Sequence, residues 1–323
     1  MNDKSICLFV KGNRESGMGH IVRSWTLAVE LSMRGLDVGF ETEEATPGYH
    51  YLKDRLHPTM RLNDFEHKYD CVIVDLENGP TRELLLDART KFDTVIVVGG
   101  VGFPIHDQTA IDELVDLQIY QSVIVTNPTS ATNSISGPEY IILNQDYLAG
   151  RNIYPTLVSQ DALIIMGGAD PHNLTPVVSS KLLASFNGYR PSVKAIFGPA
   201  SHVTLLPDGV ERVIAPPSLV RNLCSAKFAV SALGMTTYEA ACIGVPTASI
   251  CWSPDHSATA DELERLGVTV NLGLWSEPHW GKLATFVDKM HNKSAWEKMS
   301  EAGRELVDGR GCARVASAIE EIL

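Results

Sequence analysis

Residues 17–23 read Gly-Met-Gly-His-Ile-Val-Arg, between an apolar run at 6–10 and a stretch with apolar residues at helical spacing. A short apolar run is typical of a buried strand, and the spacing after the glycines predicts a helix that ends near Gly35. In a unit of strand, glycine loop and helix, the glycines let a ligand approach the backbone and the helix start offers free N–H groups. The stretch therefore predicts a ligand-binding loop at the carboxyl end of the first strand.

His20 is the candidate catalytic residue of this loop, and it follows Gly17 and Gly19. The positive end of a helix disfavours imidazolium, so we expect a neutral ring that can accept a proton. The alternative is that His20 only caps its helix. One turn later, Arg23 can neutralise a carboxylate or a phosphate, or pack against a second domain. Asp75 ends another predicted strand, where it can orient His20 or a sugar hydroxyl, the alternative being a solvated loop.

The composition is that of a globular protein with room for two hydrophobic cores. Of 323 residues, 44% are hydrophobic and 20% are charged, and the formal net charge is -12. This acidity argues against general nucleic-acid binding, although one local pocket for a diphosphate stays compatible with it. The six cysteines form no C-x-x-C pair, which predicts buried reduced thiols and no zinc site. Since neither a signal-peptide pattern nor a membrane-spanning apolar segment is found, we expect a cytoplasmic protein.

Apolar, β-branched runs alternate with helix-like stretches along the chain, which predicts an α/β protein with parallel sheets. The alternation restarts at Asp161, after a polar stretch at 150–156 whose Gly and Pro residues suit a linker. We predict two doubly wound, Rossmann-like domains, residues 1–155 and 156–323, that face each other across a ligand-binding cleft. The last helix is expected to pack back on the first domain.

The strands and helices are predicted from these runs, with apolar stretches assigned to strands and helical spacing to helices. Predicted strands lie at 5–10, 38–42, 71–75, 94–98, 122–126 and 140–143, and then at 162–166, 193–197, 211–214, 228–231, 247–251 and 268–271. Predicted helices lie at 20–34, 81–89, 174–186, 218–225, 236–243 and 258–266, followed by three in the tail from residue 282.

A second glycine loop follows the predicted strand at 162–166 and reads Gly-Gly-Ala-Asp-Pro-His-Asn-Leu-Thr over 167–175. Gly168 permits a turn close to a ligand. Asn173 can cap the next helix or hydrogen-bond a substrate. The alternative is that Asp170 and the proline after it supply only turn chemistry, and the residues alone leave both open.

A third loop joins a strand that ends at Ser231 to a helix that begins near Thr236. Gly234 allows the turn, and the hydroxyls of Thr236 and Thr237 with the N–H groups of a helix start form an anion site without Lys or Arg. The carboxylate of Glu239 can accept both hydroxyls of a ribose. The alternative is a capping box of Thr236 and Glu239, and both roles can hold at once.

The three loops together resemble one family, and the resemblance covers most of the chain in the correct order. The first loop, Asn13-Arg14 to Arg23, looks like that of the UDP-sugar hydrolases of pseudaminic acid biosynthesis and of the similar spore-coat polysaccharide proteins. Residues 167–175 match the second-domain loop of that family, and Gly234-Met235-Thr236-Thr237-x-Glu239 matches its donor-binding helix. The wider group includes the GlcNAc transferase that makes lipid II.

The resemblance implies a glycosyltransferase-B fold and a UDP-sugar substrate, with no metal and no cofactor. It implies that His20 is the base that activates water or an acceptor hydroxyl. It assigns Thr236 and Thr237 to the diphosphate, Glu239 to the ribose and the loop around Pro217 to uracil. We therefore predict a hydrolase that cleaves the anomeric C–O bond of a UDP-sugar with water as the acceptor.

The chain departs from the family's pattern where the sugar or the acceptor should lie. Asp75-Leu76-Glu77-Asn78 replaces a His/Tyr-containing stretch, and Gly99-Gly100-Val101-Gly102 replaces a paired Asp. Asp255-His256-Ser257 replaces an Asn-Gln pair, so that His256 stands in place of a sugar contact. Because the glycines open space for an acceptor larger than water, the alternative prediction is a glycosyltransferase that uses an acceptor hydroxyl. A further alternative is a non-catalytic nucleotide-sugar binder.

Overall fold

The structure is a computed structural model, and it describes two compact units of the chain. Unit 1 comprises Met1–Leu143 with Arg310–Leu323, and unit 2 comprises Asn144–Gly309. The described residues are 4–13, 17–99, 108–124, 133–157, 161–188, 191–198, 201, 205–216 and 218–323.

Unit 1 contains a parallel sheet whose strands alternate with helices. Its described strands are β1 (Ser5–Val10), β2 (Asp37–Glu41), β3 (Arg61–Leu62), β4 (Cys71–Asp75), β5 (Thr94–Gly99), β6 (Leu117–Tyr120) and β7 (Asn133–Ser136). Its helices are α1 (Gly19–Met33), α2 (Pro47–Lys53), α3 (Arg82–Lys91), α4 (Gln108–Leu114), a 3-10 turn at Pro138–Tyr140 and the last helix of the chain, α12 (Gly311–Glu320). The order across the sheet is β3-β2-β1-β4-β5-β6-β7.

Unit 2 repeats this architecture. Its described strands are β8 (Asp161–Ile165), β9 (Val193–Phe197), β10 (Val210–Ile214), β11 (Ala226–Ala232), β12 (Thr247–Cys251) and β13 (Thr269–Leu274). Its helices are α5 (Gln145–Leu157), α6 (Thr175–Ala184), α7 (Leu219–Ser225), α8 (Met235–Ile243), α9 (Pro254–Arg265), α10 (Trp280–His291) and α11 (Lys293–Leu306). The order across the sheet is β10-β9-β8-β11-β12-β13.

The apolar strands form sheets that are covered on both faces. β4 and β12 are buried at every position, which explains why they read as continuous apolar runs instead of alternating ones. Helix α1 contributes Ile21, Leu27 and Leu31 to the interior of unit 1 at helical spacing. Phe197, Phe228 and Phe286 belong to the core of unit 2.

In each sheet the strand order reverses once, and the glycine loops lie at that point. The reversal falls between β1 and β4 in unit 1 and between β8 and β11 in unit 2. Connections leave two such strands in opposite directions, so a crevice opens at their carboxyl ends, where open α/β sheets bind ligands. The predicted loops follow β1, β8 and β11, and all of them therefore occupy the expected ligand-binding edge of their sheets.

Most predicted elements are confirmed, and two predicted strands are wrong. The strands predicted at 71–75, 193–197 and 247–251 have those bounds, and the three tail helices are present. The strand predicted at 122–126 is wrong over 122–124, which follow β6, whereas 125–126 lie outside the described residues. The apolar run at 140–143 is not a strand, because the 3-10 turn leads into it. Its Ile141 is instead buried under Gly311, where a Cβ atom would lie 2.2 Å from the Ile141 carbonyl oxygen.

The predicted linker at 150–156 is helical, and this shifts the boundary away from residue 155. These residues lie within α5, and the units divide between Leu143 and Asn144. Gly150 serves close packing: a Cβ atom there would lie 2.9 Å from Val220 Cγ1 and 3.0 Å from Cys224 Sγ. The glycine that suggested flexibility is therefore required where α5 meets α7.

The tail after residue 309 belongs to unit 1, where Arg34 holds it. The Arg34 guanidinium donates to the Ala313 carbonyl and the Ser317 hydroxyl, both at 2.9 Å, and to the Glu320 carboxylate at 2.6 Å. These bonds join the end of α1 to α12.

The six cysteines are free and buried, and burial raises the pKa of the Cys242 and Cys251 thiols to about 11. Among the described residues, no helix combines the length and apolarity needed to span a bilayer.

Candidate functional site

His20 lies in the first turn of α1, and its ring contacts the last residue of β4. The distance between His20 Nδ1 and Asp75 Oδ1 is 2.7 Å. β1 and β4 are neighbours in which Val10 pairs with Asp75, so the loop after β1 brings the start of α1 to the end of β4. The His20 side chain is 18% exposed, whereas the Asp75 side chain is 3% exposed. The ring therefore has one buried partner and retains access from outside.

Asp75 accepts hydrogen bonds from several side chains on one face of α1. Its Oδ2 accepts from Arg23 Nε at 2.9 Å and from Ser24 Oγ at 3.0 Å, and its Oδ1 accepts from Arg23 Nη2. Burial alone would raise the pKa of Asp75. The positive charge of Arg23, the interaction with His20 and the hydrogen bonds outweigh burial and lower that pKa below its usual range. Asp75 is therefore an ionised carboxylate at neutral pH.

The contact with Asp75 determines which nitrogen of His20 carries the proton. An ionised carboxylate only accepts, so the 2.7 Å contact requires an N–H at His20 Nδ1. Arg23 Nη2 lies 3.0 Å from the same nitrogen, but its N–H groups donate to Asp75 and not to the protonated Nδ1. A neutral ring that is protonated at Nδ1 has its lone pair at Nε2. The arrangement therefore presents a proton acceptor, held in one orientation by a buried anion.

The structure excludes one alternative for the first loop, in which His20 only caps its helix. Met18 is the residue before α1, and His20 does not cap the helix because its ring is bound to Asp75. Of the roles expected for Arg23, the structure shows the neutralisation of a carboxylate, since its side chain is 4% exposed and pairs with Asp75, whereas its contact with a nucleotide sugar stays a prediction. Gly17 has a φ of 73°, and a Cβ atom at Gly17 or Gly19 would meet no described atom within 4 Å. The described atoms thus leave space beside Gly17 and Gly19, and the contact of these glycines with a substrate stays a prediction.

Asp170 links the loop after β8 to the start of α6 by hydrogen bonds. This carboxylate accepts from the backbone N–H groups of Leu174 and Thr175 at 2.8 and 3.0 Å, and from the Thr175 hydroxyl at 2.7 Å. Asp170, and not Asn173, therefore satisfies the start of α6, and the prediction that Asn173 caps this helix is wrong. Asn173 is exposed, with a φ of 50°, and its bond to a substrate stays a prediction.

Gly168 takes part in a close approach within unit 2. A Cβ atom at Gly198 would lie 2.4 Å from Gly168 Cα, and the Ser201 hydroxyl donates to the Gly168 carbonyl at 3.3 Å. The preceding Gly167 has a φ of 79°, a conformation that favours glycine. These glycines therefore let the loops after β8 and β9 meet, which is a structural reason for them that needs no ligand.

The start of α8 is open, in contrast to that of α6. Gly234 precedes this nine-residue helix, and no described side chain caps it. A Cβ atom at Gly234 would meet no described atom within 4 Å. The first N–H groups of a helix, here including those of Met235 and Thr236, have no partner within the helix, and they carry its partial positive charge. This helix start is therefore suited to an anion.

The hydroxyls of Ser231 and Thr237 contact other buried hydroxyls of unit 2, and their assignment to the nucleotide sugar stays a prediction. Both residues are fully buried. Thr237 Oγ1 lies 3.3 Å from Ser249 Oγ, and Ser231 Oγ lies 3.5 Å from each of these atoms. Ser249 in turn contacts the Thr269 hydroxyl at 2.9 Å. These hydroxyls hydrogen-bond to one another between β11, β12, β13 and α8.

Glu239 is the fifth residue of α8. Burial raises the pKa of Glu239 above its ordinary value, and the nearby Tyr147 and Thr236 side chains oppose that rise. Thr236 lies inside the helix, because Gly234 precedes it, so the pair is not a capping box.

His256 is the remaining predicted site residue that the structure describes. His256 lies in the first turn of α9, after β12, and its backbone N–H donates to the Ser253 carbonyl at 3.2 Å. β12 neighbours β11, so His256 and Glu239 follow adjacent strands at one edge of the sheet. Pro217, Arg14 and residues 100–102 lie outside the described residues. The part of the chain that is described contains no group of three or more His, Cys, Asp or Glu placed to hold a metal ion.

Sequence reasoning missed Ser24, which donates to Asp75. Ser24 could have been found, because residues 20, 23 and 24 share one helix face at spacings of three and four.

The comparisons with known proteins support the fold and a carbohydrate context. No protein-family model matches the chain. The chain is 26% identical to the spore coat polysaccharide biosynthesis protein SpsG of Bacillus subtilis (strain 168), over 98% of this chain and 97% of that protein.

Solved structures with the same fold cover nearly the whole chain. Acinetobacter baumannii MurG has a TM-score of 0.71 and 13% identity, with 98% of this chain and 99% of that chain covered. The calicheamicin glycosyltransferase CalG4 has a TM-score of 0.60 and 14% identity, with 99% and 98% covered. A UDP-N-acetylglucosamine 2-epimerase has a TM-score of 0.60 and 15% identity, with 98% and 95% covered. The predicted glycosyltransferase-B fold is confirmed. These relatives do not support the predicted hydrolase, and the alternative prediction of a glycosyltransferase fits them better.

Proposed function

We propose that this protein is a glycosyltransferase-like enzyme of polysaccharide biosynthesis that moves a sugar from a nucleotide-sugar donor to an acceptor hydroxyl. The observation that carries the proposal is the 2.7 Å contact between His20 Nδ1 and Asp75, which leaves Nε2 as a proton acceptor at the ligand-binding edge of unit 1. SpsG is named for polysaccharide biosynthesis and CalG4 for glycosyl transfer, which supports an acceptor other than water.

In this mechanism His20 is the general base. Its Nε2 takes the proton of the acceptor hydroxyl while the hydroxyl oxygen attacks the anomeric carbon. Asp75 holds the ring and stabilises the imidazolium that forms, and Arg23 and Ser24 hold Asp75 by the bonds described above. General base catalysis of this kind contributes about 10²- to 10⁴-fold to the rate.

The donor's diphosphate is assigned to the open start of α8. Backbone N–H groups there, those of Met235 and Thr236 among them, bind the phosphate oxygens. The partial positive charge of the helix stabilises the negative charge that develops as the diphosphate leaves. Glu239 then accepts the two hydroxyls of the ribose, since an ionised carboxylate has about four acceptor positions.

Replacing Glu239 by Gln is expected to weaken nucleoside diphosphate binding about tenfold or more, because an amide loses acceptor positions for the ribose. The same change is expected to stabilise the fold at neutral pH. The raised pKa of Glu239 means that its contribution to stability is present at low pH and is lost as pH rises through that pKa. Calorimetry with UDP and thermal unfolding at pH 7 check both effects. Glu301→Gln on the exposed face of α11 is the control, and a destabilised Glu239→Gln variant would contradict the account.

The proposal is tested by incubating the protein with a panel of nucleotide sugars, with and without hydroxyl-bearing saccharide acceptors. Free nucleoside diphosphate and the mass of every sugar product are measured. Transfer predicts slow release of the nucleotide in water, faster release with one acceptor, and an acceptor whose mass rises by one sugar residue.

Each other function has its own result in this experiment. Rapid release that no acceptor accelerates would establish hydrolysis. An altered sugar that stays attached to its nucleotide would establish an epimerase, an activity that one protein of this fold carries in its name. Binding without any conversion would establish a non-catalytic binder. Any of these outcomes overturns the proposal.

A further inference from the structure

Three aromatic side chains meet at the carboxyl edge of the sheet of unit 2. His172 lies in the loop after β8, Trp252 directly follows β12, and Trp275 directly follows β13. The rings of His172 and Trp275 are stacked, with their centroids 3.7 Å apart and their planes 6° apart. The centroid of the Trp252 ring lies 5.4 Å from that of His172, and the two planes are 46° apart. These three residues come from loops that are distant in sequence, and we call them the aromatic cluster.

The tryptophans of the aromatic cluster are held by the body of unit 2. Both pack, partly buried, against its hydrophobic core. The backbone N–H of Trp275 donates to the Cys251 carbonyl at 2.9 Å, which fixes the end of β13 beside the end of β12. Because these rings are positioned without a ligand, binding against them costs little conformational entropy.

His172 is held by the loop on either side of it. Asp170 lies two residues before it and Asn173 directly after it, with φ values of 45° and 50°, in a region that few non-glycine residues adopt. The Asn173 N–H donates to the Asp170 carbonyl at 2.9 Å, and the Asp170 carboxylate ties the loop to the start of α6. His172 is nevertheless exposed, although its ring is stacked on Trp275. The loop therefore presents the imidazole at the surface in one orientation.

The aromatic cluster lies at the same edge of the sheet as the diphosphate site assigned above. β12 and β13 are the next two strands after β11, whose loop leads to the open start of α8. Neighbouring strands are about 4.8 Å apart, so β13 lies about 10 Å from β11 across the sheet. A sugar that the diphosphate carries, or a saccharide that lies beside it, falls within this span.

An aromatic face with an amide beside it is suited to a pyranose ring. The face of an aromatic ring carries partial negative charge, which attracts the C–H groups on the apolar face of a sugar. The hydroxyls at the edge of the sugar need hydrogen-bond partners, and the exposed Asn173 offers a carbonyl oxygen and an NH₂ group next to His172. This part of unit 2 therefore combines the two kinds of contact that a sugar ring requires.

We propose that the aromatic cluster and Asn173 form a subsite that binds the pyranose ring of a saccharide by stacking against its C–H face. The inference rests on the proposed function, in which the enzyme binds a donor sugar and a saccharide acceptor. Either molecule supplies the same ring chemistry, so the experiment has one arm for each.

The donor arm compares UDP with UDP-glucose and UDP-N-acetylglucosamine by calorimetry, on the wild type and on His172→Ala. If the donor supplies the ring, the wild type binds at least one of the two nucleotide sugars more tightly than UDP. His172→Ala is then expected to weaken that nucleotide sugar about fivefold and to change UDP binding less than about twofold, because the lost stacking falls on the sugar. Equal weakening of UDP and the nucleotide sugar would show a contact with the nucleotide and overturn the inference.

The acceptor arm titrates cellobiose and chitobiose into the same two proteins in the presence of UDP and follows tryptophan fluorescence. Trp252 and Trp275 belong to the aromatic cluster, so a stacked sugar is expected to change their emission. If the acceptor supplies the ring, His172→Ala weakens disaccharide binding about fivefold. A loss in either arm supports the inference, and the absence of a loss in both arms overturns it.

His172→Tyr is the rescue variant, and His291→Ala is the matched control. A tyrosine ring can stack in place of the imidazole, so His172→Tyr is expected to restore most of the sugar affinity that His172→Ala loses. His291 is an exposed histidine at the end of α10 in the same unit, and His291→Ala is expected to bind every probe as the wild type does. A Tyr variant that restores nothing, or an equal loss in His291→Ala, would exclude stacking at His172 and overturn the inference.

The wild type separates the two levels of the argument. If it binds UDP, but binds neither nucleotide sugar more tightly and binds no disaccharide, the inference about the aromatic cluster fails while nucleotide binding stands. If it binds none of these probes and converts no nucleotide sugar of the panel above, the proposed function fails, and the inference fails with it.

Discussion

His20→Ala is expected to lower the turnover of the nucleotide sugar about 10³-fold and to leave nucleoside diphosphate binding within about twofold of the wild type. The variant removes the Nε2 that takes the acceptor's proton, so the attacking oxygen must lose it to water. The residues assigned to the nucleotide belong to unit 2, which the substitution does not touch. Turnover at saturating donor and acceptor, and calorimetry with UDP, measure the two quantities on the same preparation.

The control for this substitution is His50→Ala, which removes an exposed histidine of α2 in the same unit. It is expected to retain wild-type turnover. If His20→Ala keeps more than about a tenth of the wild-type turnover, proton transfer to His20 is not a major part of the rate acceleration. If it loses nucleotide binding to the same extent as turnover, the residue acts in donor binding and not as the base.

Asp75→Asn is expected to combine a loss of turnover of about 10²-fold with a loss of stability of about 3 kcal/mol. The Asn amide leaves the buried Arg23 guanidinium without its carboxylate, and an unpaired buried charge is strongly destabilising. The amide NH₂ can also donate to His20 Nδ1, which would move the ring proton to Nε2 and remove the acceptor. Turnover per folded molecule and urea unfolding at pH 7 measure the two effects.

The stability effect has a defined dependence on pH. The pKa of Asp75 is lowered in the folded state, so its contribution to stability is present above its ordinary pKa of about 4 and is lost as pH falls below it. The difference in unfolding free energy between wild type and Asp75→Asn is therefore expected to be largest near neutral pH and to shrink below about pH 4. Asp87→Asn, at an exposed position of α3, is the control. A difference that is constant from pH 7 to about pH 3 would contradict the assignment of an ionised Asp75.

Much of the fold can be predicted from the sequence because buried parallel strands appear in it as continuous apolar stretches. β4, β9 and β12 could be delimited to the residue, and the glycines after β1, β8 and β11 marked the ligand-binding edges. The predicted linker at 150–156 was wrong because Gly150 lies in helix α5, where its small size allows close packing against α7. Helix α7 is distant in sequence, so local patterns do not reveal this contact. Local rules interpret glycine as flexibility, whereas tertiary packing here uses its lack of a side chain.

The candidate site could be predicted in its position but only partly in its contacts. The helical spacing places Arg23 and Ser24 on the face of His20, yet only the pairing of β1 with β4 brings Asp75 beneath them. The motif predicts that Thr237 binds a ligand, but its hydroxyl contacts the Ser249 hydroxyl of β12 within a buried group of hydroxyls. Spacing states which hydroxyls are available, and the strands packed beside them decide in which direction each one points.

The most direct test of the central claim, that Asp75 acts in catalysis through His20, is the turnover of the double variant His20→Ala with Asp75→Asn. Turnover is measured per folded molecule, at saturating donor and acceptor, against both single variants. The account predicts that the double variant is no slower than His20→Ala alone, since Asp75 has no catalytic effect once the base is gone. A double variant whose loss equals the product of the two single losses would show independent roles and contradict the account.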